Sequence, residues 1–395
     1  MLTQDLGGLS VSLSVGSMVP SPAPLFVMQA LQQVQVNLSD RSPSGFQLTF
    51  HADRAAGLTP DFQLFSSGLF AAGNRVMIEV TVGGSSYTLM DGFVTRQELA
   101  HDKQSGASTI SVIGEDVSVY MDLIELSFEW PALGDSAIAL AVLLKYGLIG
   151  VVPVVTPTLS SMFSNPLEYV PQQNTTDRAY VQQLAQAHGN VFFVRPAFKA
   201  FGGVPVNYAY WGPPPRLAAA AWGWATGAQP ALSVDMGSAT NVESIDFQFD
   251  ALAPVLFAGY IQDDDTDLQL PVATVLSTRL PPFASSPALP GDFPFLKTKL
   301  YNDPRLGIVR SLALAQAQTD YCSDRVVTAK STVDTMRYGA IIQCPGAISV
   351  RGCGASYDGE YYVESVTHTI ARGTFKQEVS MTREGLGTLQ SSVSA

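Results

Sequence analysis

Hydrophobic and polar side chains alternate most regularly near the end of the chain, from Asp358 to Arg383. Tyr362, Val366 and Ile370 share one strand face with Glu364 and His368, and Tyr361, Val363, Ser365, Thr367 and Thr369 take the other. In a second strand Phe375, Gln377, Val379 and Met381 oppose Lys376, Glu378, Ser380 and Thr382. Ala371 to Thr374 supplies the reversal, with Gly373 free to adopt a positive φ. Asp358-Gly359 reads as a turn pair ahead of the first strand. A lone hairpin is marginal in water, so this one needs a sheet to join.

The same period of two runs from Leu31 to Asp122. Val34–Leu38, Phe46–Phe50, Val76–Val82, Tyr87–Met90, Phe93–Leu99 and Ser108–Ile113 all read as strands. Turn signals separate them, among them Ser42-Pro43-Ser44-Gly45, Gly83-Gly84 and Asp91-Gly92. Short strands at regular spacing predict a small barrel or sandwich.

From Leu123 to about Val234 the texture becomes α+β. Ser136 is placed to cap a helix running to Tyr146, with Asp135 at its positive end. Thr175 or Thr176 caps a helix from Asp177 to His188 that stops at Gly189, and Val191–Val194 follows as a buried strand. From Asn241 strands return, interrupted by a proline-rich loop from Pro281 to Pro294 and an alanine-rich helix, Leu312 to Tyr321, with Ser311 as its cap. The order is therefore β, α+β, β. The expected divisions are an arm over 1–23 ordered only against a neighbour, a β domain over 24–122, an α+β domain over 123–235, a second β domain over 236–383 and a polar tail over 384–395.

Composition adds an assembly signal. Hydrophobic residues make up 46% of the chain and charged residues 14%, against about 25% charged in ordinary soluble domains. We assign the apolar surplus to permanent subunit contacts. A net charge of −12 with 22 Lys and Arg argues against a nucleic-acid surface, which needs clustered cations. Cys322, Cys344 and Cys353 are too sparse for a disulfide framework and lack zinc spacing. The first cation is Arg41, so no basic n-region precedes the apolar N-terminus. The longest apolar stretches, broken by Lys145 and Pro153, are too short to span a membrane.

Candidate chemistry is thin. Asp263-Asp264-Asp265-Thr266-Asp267 suggests calcium, but Leu268 and Thr274 stand where an EF-hand loop needs Gly and Glu, so an exposed acidic turn is expected. His51, His101, His188 and His368 lack metal-ligand spacing, and His368 reads as a hydrogen-bonded structural residue. Glu115-Asp116 and Asp358 are carboxylates in turns. A glycosidase needs two facing each other across a cleft, whereas Asp116 reads as a cap accepting backbone N–H groups. Gly83, Gly84, Gly92, Gly114, Gly359 and Gly373 are mostly assigned to turns. Trp211, Trp222 and Trp224 read as packing or interface anchors rather than a carbohydrate platform. No metal, cofactor or catalytic motif is expected.

Several segments in order resemble the phage late control protein D family. They are SGFQLTF at 44–50, LMDGFVT at 89–95, VIGEDVSVYMD at 112–122, TDRAYVQQLAQAHGNVFFV at 176–194, YWGPP at 210–214, and YDGEYYVESVTHTI with FKQEVSMTR at the end. The positions carried over as structural are Asp91, Gly92, Gly114, Asp116, Asp358, Gly359, Tyr362 and His368. The resemblance implies a mainly β chain whose two small barrels, like those of a tail tube, embrace an α+β region. It implies the baseplate hub of a phage tail, tailocin or contractile injection system, assembled in the cytoplasm and related to the hub half of type VI secretion spike proteins. It further implies a homotrimer that adapts a six-fold inner tube protein to a three-fold spike, among other baseplate proteins. The terminal hairpin would be the closing edge of the second barrel. Only 12 residues follow Arg383, so the spike is expected on a separate chain. A tail-associated wall hydrolase and a β-rich adhesin or carbohydrate-binding protein are the alternatives.

Overall fold

In the computed structural model the described residues are 4–5, 9–52, 61–101, 108–158, 170–197, 205–216, 229–262, 268–289, 295–301 and 307–389. The first long strand, β1 (Leu9–Gly16), lies inside the segment expected to be an arm. Leu9, Val11, Leu13 and Val15 are buried and the serines between them are half-buried. The strand pairs with the chain's own Arg75–Val82 rather than waiting for a neighbour. The period-two pattern of LSVSLSVG outweighs the Gly, Ser and Pro around it.

The first β region continues through β2 (Leu31–Ser39), β3 (Gly45–His51), β4 (Arg75–Val82), β5 (Ser85–His101) and β6 (Ser108–Asp116). Asp91-Gly92 makes no turn. It lies within β5, a single strand of 17 residues, whose direction is adjusted by two register irregularities.

The α+β region holds β7 (Glu125–Glu129), α1 (Asp135–Leu144), β8 (Val151–Val155), β9 (Gln172–Thr176), α2 (Asp177–Ala187), β10 (Val191–Pro196) and β11 (Asn207–Gly212). Gly134, not Ser136, is the N-cap of α1, and Asp135 occupies its first turn. Thr176 caps α2, its Oγ1 accepting from the Ala179 N–H at 3.3 Å. Both helices pack on β8, β10 and β11 around Ile138, Val142, Val181, Phe192 and Trp211.

In the rest of the chain lie β12 (Val242–Phe249), β13 (Val255–Gln262), β14 (Gln269–Ala273), β15 (Lys297–Tyr301), α3 (Ile308–Ser323), β16 (Val327–Asp334), β17 (Gly346–Arg351), β18 (Gly359–Ala371) and β19 (Thr374–Arg383). Helix α3 starts four residues earlier than the alanine pattern suggested. Gly307 is its N-cap, and Ser311 is a buried residue of its first turn. β13, β14 and β15 form a small sheet under α3, packed around Phe257, Ile261, Val272 and Ala315.

The two β regions share one ladder, in the order β1-β4-β5-β6-β3-β2-β18-β19-β16-β12. The terminal hairpin is therefore interior, not a closing edge. β18 first pairs with β17 through Gly359–Val363 and then, past an irregularity at Glu364, with β2 through Ser365–Ala371. Thirteen residues are enough for two successive partners. Ile370 and Phe375 join the first β core, while Val366, Val379 and Met381 join the second. The fold is mainly β with helices between and beside the sheets. Among the described residues the ladder is an open path, and neither β region closes on itself as a barrel. No helix among them is long and apolar enough to cross a membrane.

Candidate functional site: buried arginine nodes between the regions

β4 opens with a polar residue in an otherwise apolar-alternating run, Arg75. Its side chain is fully buried, and Asp91 of the neighbouring β5 is 1% exposed. The pair is bidentate: Arg75 Nε donates to Asp91 Oδ1 at 2.7 Å and Nη2 to Oδ2 at 2.5 Å. The planar guanidinium fork matches a carboxylate in this way. Its remaining donors cross to the α+β region. Nη1 reaches the Ile149 carbonyl and Nη2 the Pro205 carbonyl, each at 3.1 Å. Asn207 Nδ2 donates to Asp91 Oδ2 at 2.6 Å. Removing these two charges from water is costly unless every donor and acceptor is used, and this arrangement uses nearly all of them.

The glycines beside this node serve close approach rather than turns. A Cβ on Gly92 would lie 2.1 Å from the Glu115 carbonyl, and one on Gly114 2.3 Å from the Phe46 ring. Gly92 faces Asp116 across the β5–β6 ladder. Asp116 is buried. Its Oδ1 accepts from the Ser118 N–H at 2.8 Å and its Oδ2 from the Ser44 N–H at 3.0 Å. Burial pushes its carboxyl above the usual range, against the pull of those hydrogen bonds. It caps the turn after β6, as expected, and also fastens the start of β3.

A second node joins the end of the α+β region to the last part of the chain. Arg216 Nη2 meets Asp324 Oδ1 at 2.5 Å, and Nη1 meets Glu384 Oε2 at 2.9 Å. Arg279 Nε donates to Asp324 Oδ2 at 3.0 Å, and its Nη2 reaches the Gly189 carbonyl at 2.8 Å. Glu384 Oε1 accepts from the backbone N–H groups of Phe283 and Ala284. Burial disfavours the charge on Arg216, but Asp324 and Glu384 outweigh it and hold the guanidinium above its ordinary value.

The third node involves the hairpin. Arg383 is fully buried and donates to three carbonyls: Nε to Gly385 at 2.9 Å, Nη1 to Asp358 at 2.9 Å and Nη2 to Ser356 at 2.7 Å. The Asp358 carboxylate accepts from the Cys353 N–H at 2.7 Å. Gly359 carries a φ of +127°, and a Cβ there would lie 3.1 Å from Arg383 Nη1, so the turn beside the guanidinium requires glycine.

Further along β18, the Tyr362 hydroxyl donates to Asp40 Oδ2 at 2.8 Å. Burial raises the Asp40 carboxyl to about 7, with Arg41 opposing it and Glu364 adding to it. Glu364 is held by Arg325 Nη2 through both oxygens, at 3.0 and 3.1 Å. His368 departs from its expected role. It is fully buried between Val36 and Gln377, and neither ring nitrogen has a hydrogen-bond partner among the described residues. Gln377, across the ladder, is committed to the Ile342 N–H and the Ala340 carbonyl. Burial drives the imidazole pKa down to about 3.

The eight positions taken from the sequence thus divide. Asp91, Gly92, Gly114 and Asp116 gather at the first node. Asp358 and Gly359 meet Arg383, and Tyr362 and His368 follow along the same strand. Arg75, Arg216, Arg383 and Asp40 were not anticipated. Arg383 had a signal, as a cation on the face that the alternation of Phe375, Gln377, Val379 and Met381 marks as buried; Arg75, on the face opposite Val76, Ile78 and Val80, had none, and Arg216 had none beyond following YWGPPP.

The carboxylates are engaged separately. Glu115 pairs with Arg178 at 2.9 Å, while Asp116 and Asp358 hold backbone N–H groups. Two cavities among the described residues, of about 40 and 770 Å³, are lined by no carboxylate. Among the described residues no cluster of His, Cys, Asp and Glu gathers as metal ligands would. Trp211 is buried, its indole N–H donating to the Val181 carbonyl at 3.1 Å. Trp222, Trp224 and the acidic run Asp263–Asp267 lie outside the described residues.

No protein-family profile and no curated protein sequence matches this chain. Solved structures do match. The 43 kDa tail protein of prophage MuSo2 from Shewanella oneidensis is similar over 95% of this chain and 98% of its own, with a TM-score of 0.61 at 14% identity. A tail protein from Neisseria meningitidis MC58 is similar over 96% and 98%, with a TM-score of 0.57 at 14% identity. A chain of the Francisella PdpA-VgrG complex matches all of this chain at a TM-score of 0.56 and 9% identity, and this chain spans 61% of it. The chain has the fold of these two tail proteins and of the PdpA-VgrG chain.

Proposed function

We propose that this chain is a structural hub of a contractile-tail or injection-system baseplate. The observation that carries the reading is the fold shared end to end with two tail proteins, one of them from a prophage. In this reading the chain forms a homotrimeric ring between a six-fold inner tube and a three-fold spike, within a tail or injection particle. The β region at 24–122, with the strand at Leu9–Gly16 added at its edge, and the β region at 236–383 are the ring-forming units, and the α+β region at 123–235 lies between them in the sequence. The Arg75 and Arg216 nodes support a load-transmitting part, because they bind one region to the next through buried ion pairs. The separate engagement of Glu115, Asp116 and Asp358 supports a role without catalysis.

The test is assembly. Light scattering on the purified chain is expected to give the mass of three chains. A reconstruction of the particle is expected to place it as a three-fold ring between tube and spike. A chain that stays monomeric and fails to co-assemble with tube and spike proteins sinks the reading.

A further inference from the structure

Among the described residues several strands stand outside the main ladder with one edge open, and two of them are exposed almost throughout. β7 pairs only with β9, and β15 only with β13, among the described residues. All five residues of β7 are exposed, as are Lys297 to Leu300 of β15. Open, exposed edges are what natural sheets usually cover or blunt. Here they carry apolar side chains in water: Phe128 is 54% exposed and Leu300 78%.

Their charges are complementary. β7 reads Glu-Leu-Ser-Phe-Glu and β15 reads Lys-Thr-Lys-Leu-Tyr. Glu125 and Glu129 lie on one face of β7 with Ser127 between them, and Lys297 and Lys299 lie on one face of β15. Neither lysine has an ion-pair partner among the described residues. The only side-chain contact there for either glutamate is a 3.3 Å hydrogen bond from Gln172 to Glu129. The open edge that ends the main ladder, β12, differs, because its Glu243 is already paired with Lys376 at 2.8 Å.

We infer that β7 of one copy of this chain adds to the open edge of β15 in the next copy, forming the repeated contact of a closed ring. This rests on the hub reading and names the surfaces it uses. The charges set the pairing. Two β7 edges repel each other, as do two β15 edges, while β7 and β15 attract, so the contact is specified by repulsion as well as attraction. A contact between two different surfaces is head-to-tail, and it closes into a ring when the rotation permits. Strand addition also provides main-chain hydrogen bonds to both open edges and buries Phe128 and Leu300.

The test uses the full chain with charges reversed in pairs: Lys297→Glu with Lys299→Glu, and Glu125→Lys with Glu129→Lys. All four positions are exposed, so circular dichroism melts are expected to match the wild type. Each pair of reversals is expected to weaken self-association by about tenfold or more, as several opposite-charge cross-strand contacts turn repulsive. Combining all four in one chain is expected to restore it, and mixing the two variants is expected to yield assemblies that keep one unaltered combination. If the wild type assembles and the reversals leave its mass unchanged, or if the fourfold variant fails to recover, this contact is wrong while the hub reading stands. A wild type that is monomeric at every concentration and also fails to co-assemble with tube and spike proteins overturns both.

Discussion

His368 shows how a single buried side chain can make the whole chain sensitive to pH. Its ring is sealed between Val36 and Gln377 with no hydrogen-bond partner among the described residues, so the fold accepts only the neutral form. The folded pKa of about 3 lies below the ordinary 6.5. Protons therefore bind the unfolded chain first. Stability attributable to this residue is present above pH 6.5 and is lost as pH falls toward 3, by about 1.4 kcal/mol per pH unit. Asp40 works in the opposite sense. Its carboxyl is raised to about 7 from 3.8, so its contribution is complete below 3.8 and is lost as pH rises through 7. His368→Leu removes the first effect alone. At pH 7 the variant is expected to match or exceed the wild type, since an unsatisfied buried ring is replaced by an apolar group. At pH 4.5 it is expected to exceed the wild type by about 2–3 kcal/mol in urea unfolding. An equal difference at both pH values refutes the sealed-imidazole account.

At the scale of elements, the sequence revealed strands better than their partners. Each expected strand of the first β region is present because a period of two survives without tertiary information. The Thr176 cap was legible because capping is local. Asp91-Gly92 misled because the same dipeptide makes turns, and only the neighbouring strand shows why glycine is needed there. Leu9–Gly16 was hidden by its Gly, Ser and Pro surroundings although its alternation was regular. The interior place of the hairpin was not legible at all: Val366 pairs with Leu38, more than three hundred residues away in sequence, and alternation says nothing about distance. Gly114 gives this scale its test. Gly114→Ala must displace Phe46 or the Phe93 carbonyl, which would lie 2.3 and 2.4 Å from the new Cβ. The expected cost is about 2–4 kcal/mol, with hydrogen exchange accelerated first in β3, β5 and β6. Gly68→Ala, where a Cβ meets nothing within 4 Å but φ is +65°, is expected to cost about 1 kcal/mol from backbone strain alone. If the two variants are equally destabilised, close approach is not the role of Gly114.

Across the whole molecule each hydrophobic cluster centres on one region, with Ile370 and Phe375 crossing into the first β core and Phe93 into the α+β core, and two buried arginines also bridge regions. Arg75 reaches from the first sheet to Ile149 and Pro205, and Arg216 reaches from the α+β region to Asp324 and Glu384. These links could not be read from the sequence, because a buried cation has no periodicity and its partner can lie anywhere in the chain. A buried ion pair is weak evidence for net stability, but breaking one half of it is expensive. Arg75→Met leaves the Asp91 carboxylate buried with only Asn207 to serve it, and is expected to cost about 3–5 kcal/mol. Arg75→Met with Asp91→Leu removes both charges and is expected to recover most of that loss. The distinguishing measurement is where the chain loosens. If the node holds two regions together, both variants accelerate hydrogen exchange around Ile149 and Asn207 relative to the wild type, including the double variant whose global stability has returned. Recovery of exchange protection along with stability would make Arg75 and Asp91 a packing pair internal to the first sheet, and these two regions would then be held by apolar contact and the Glu115–Arg178 pair.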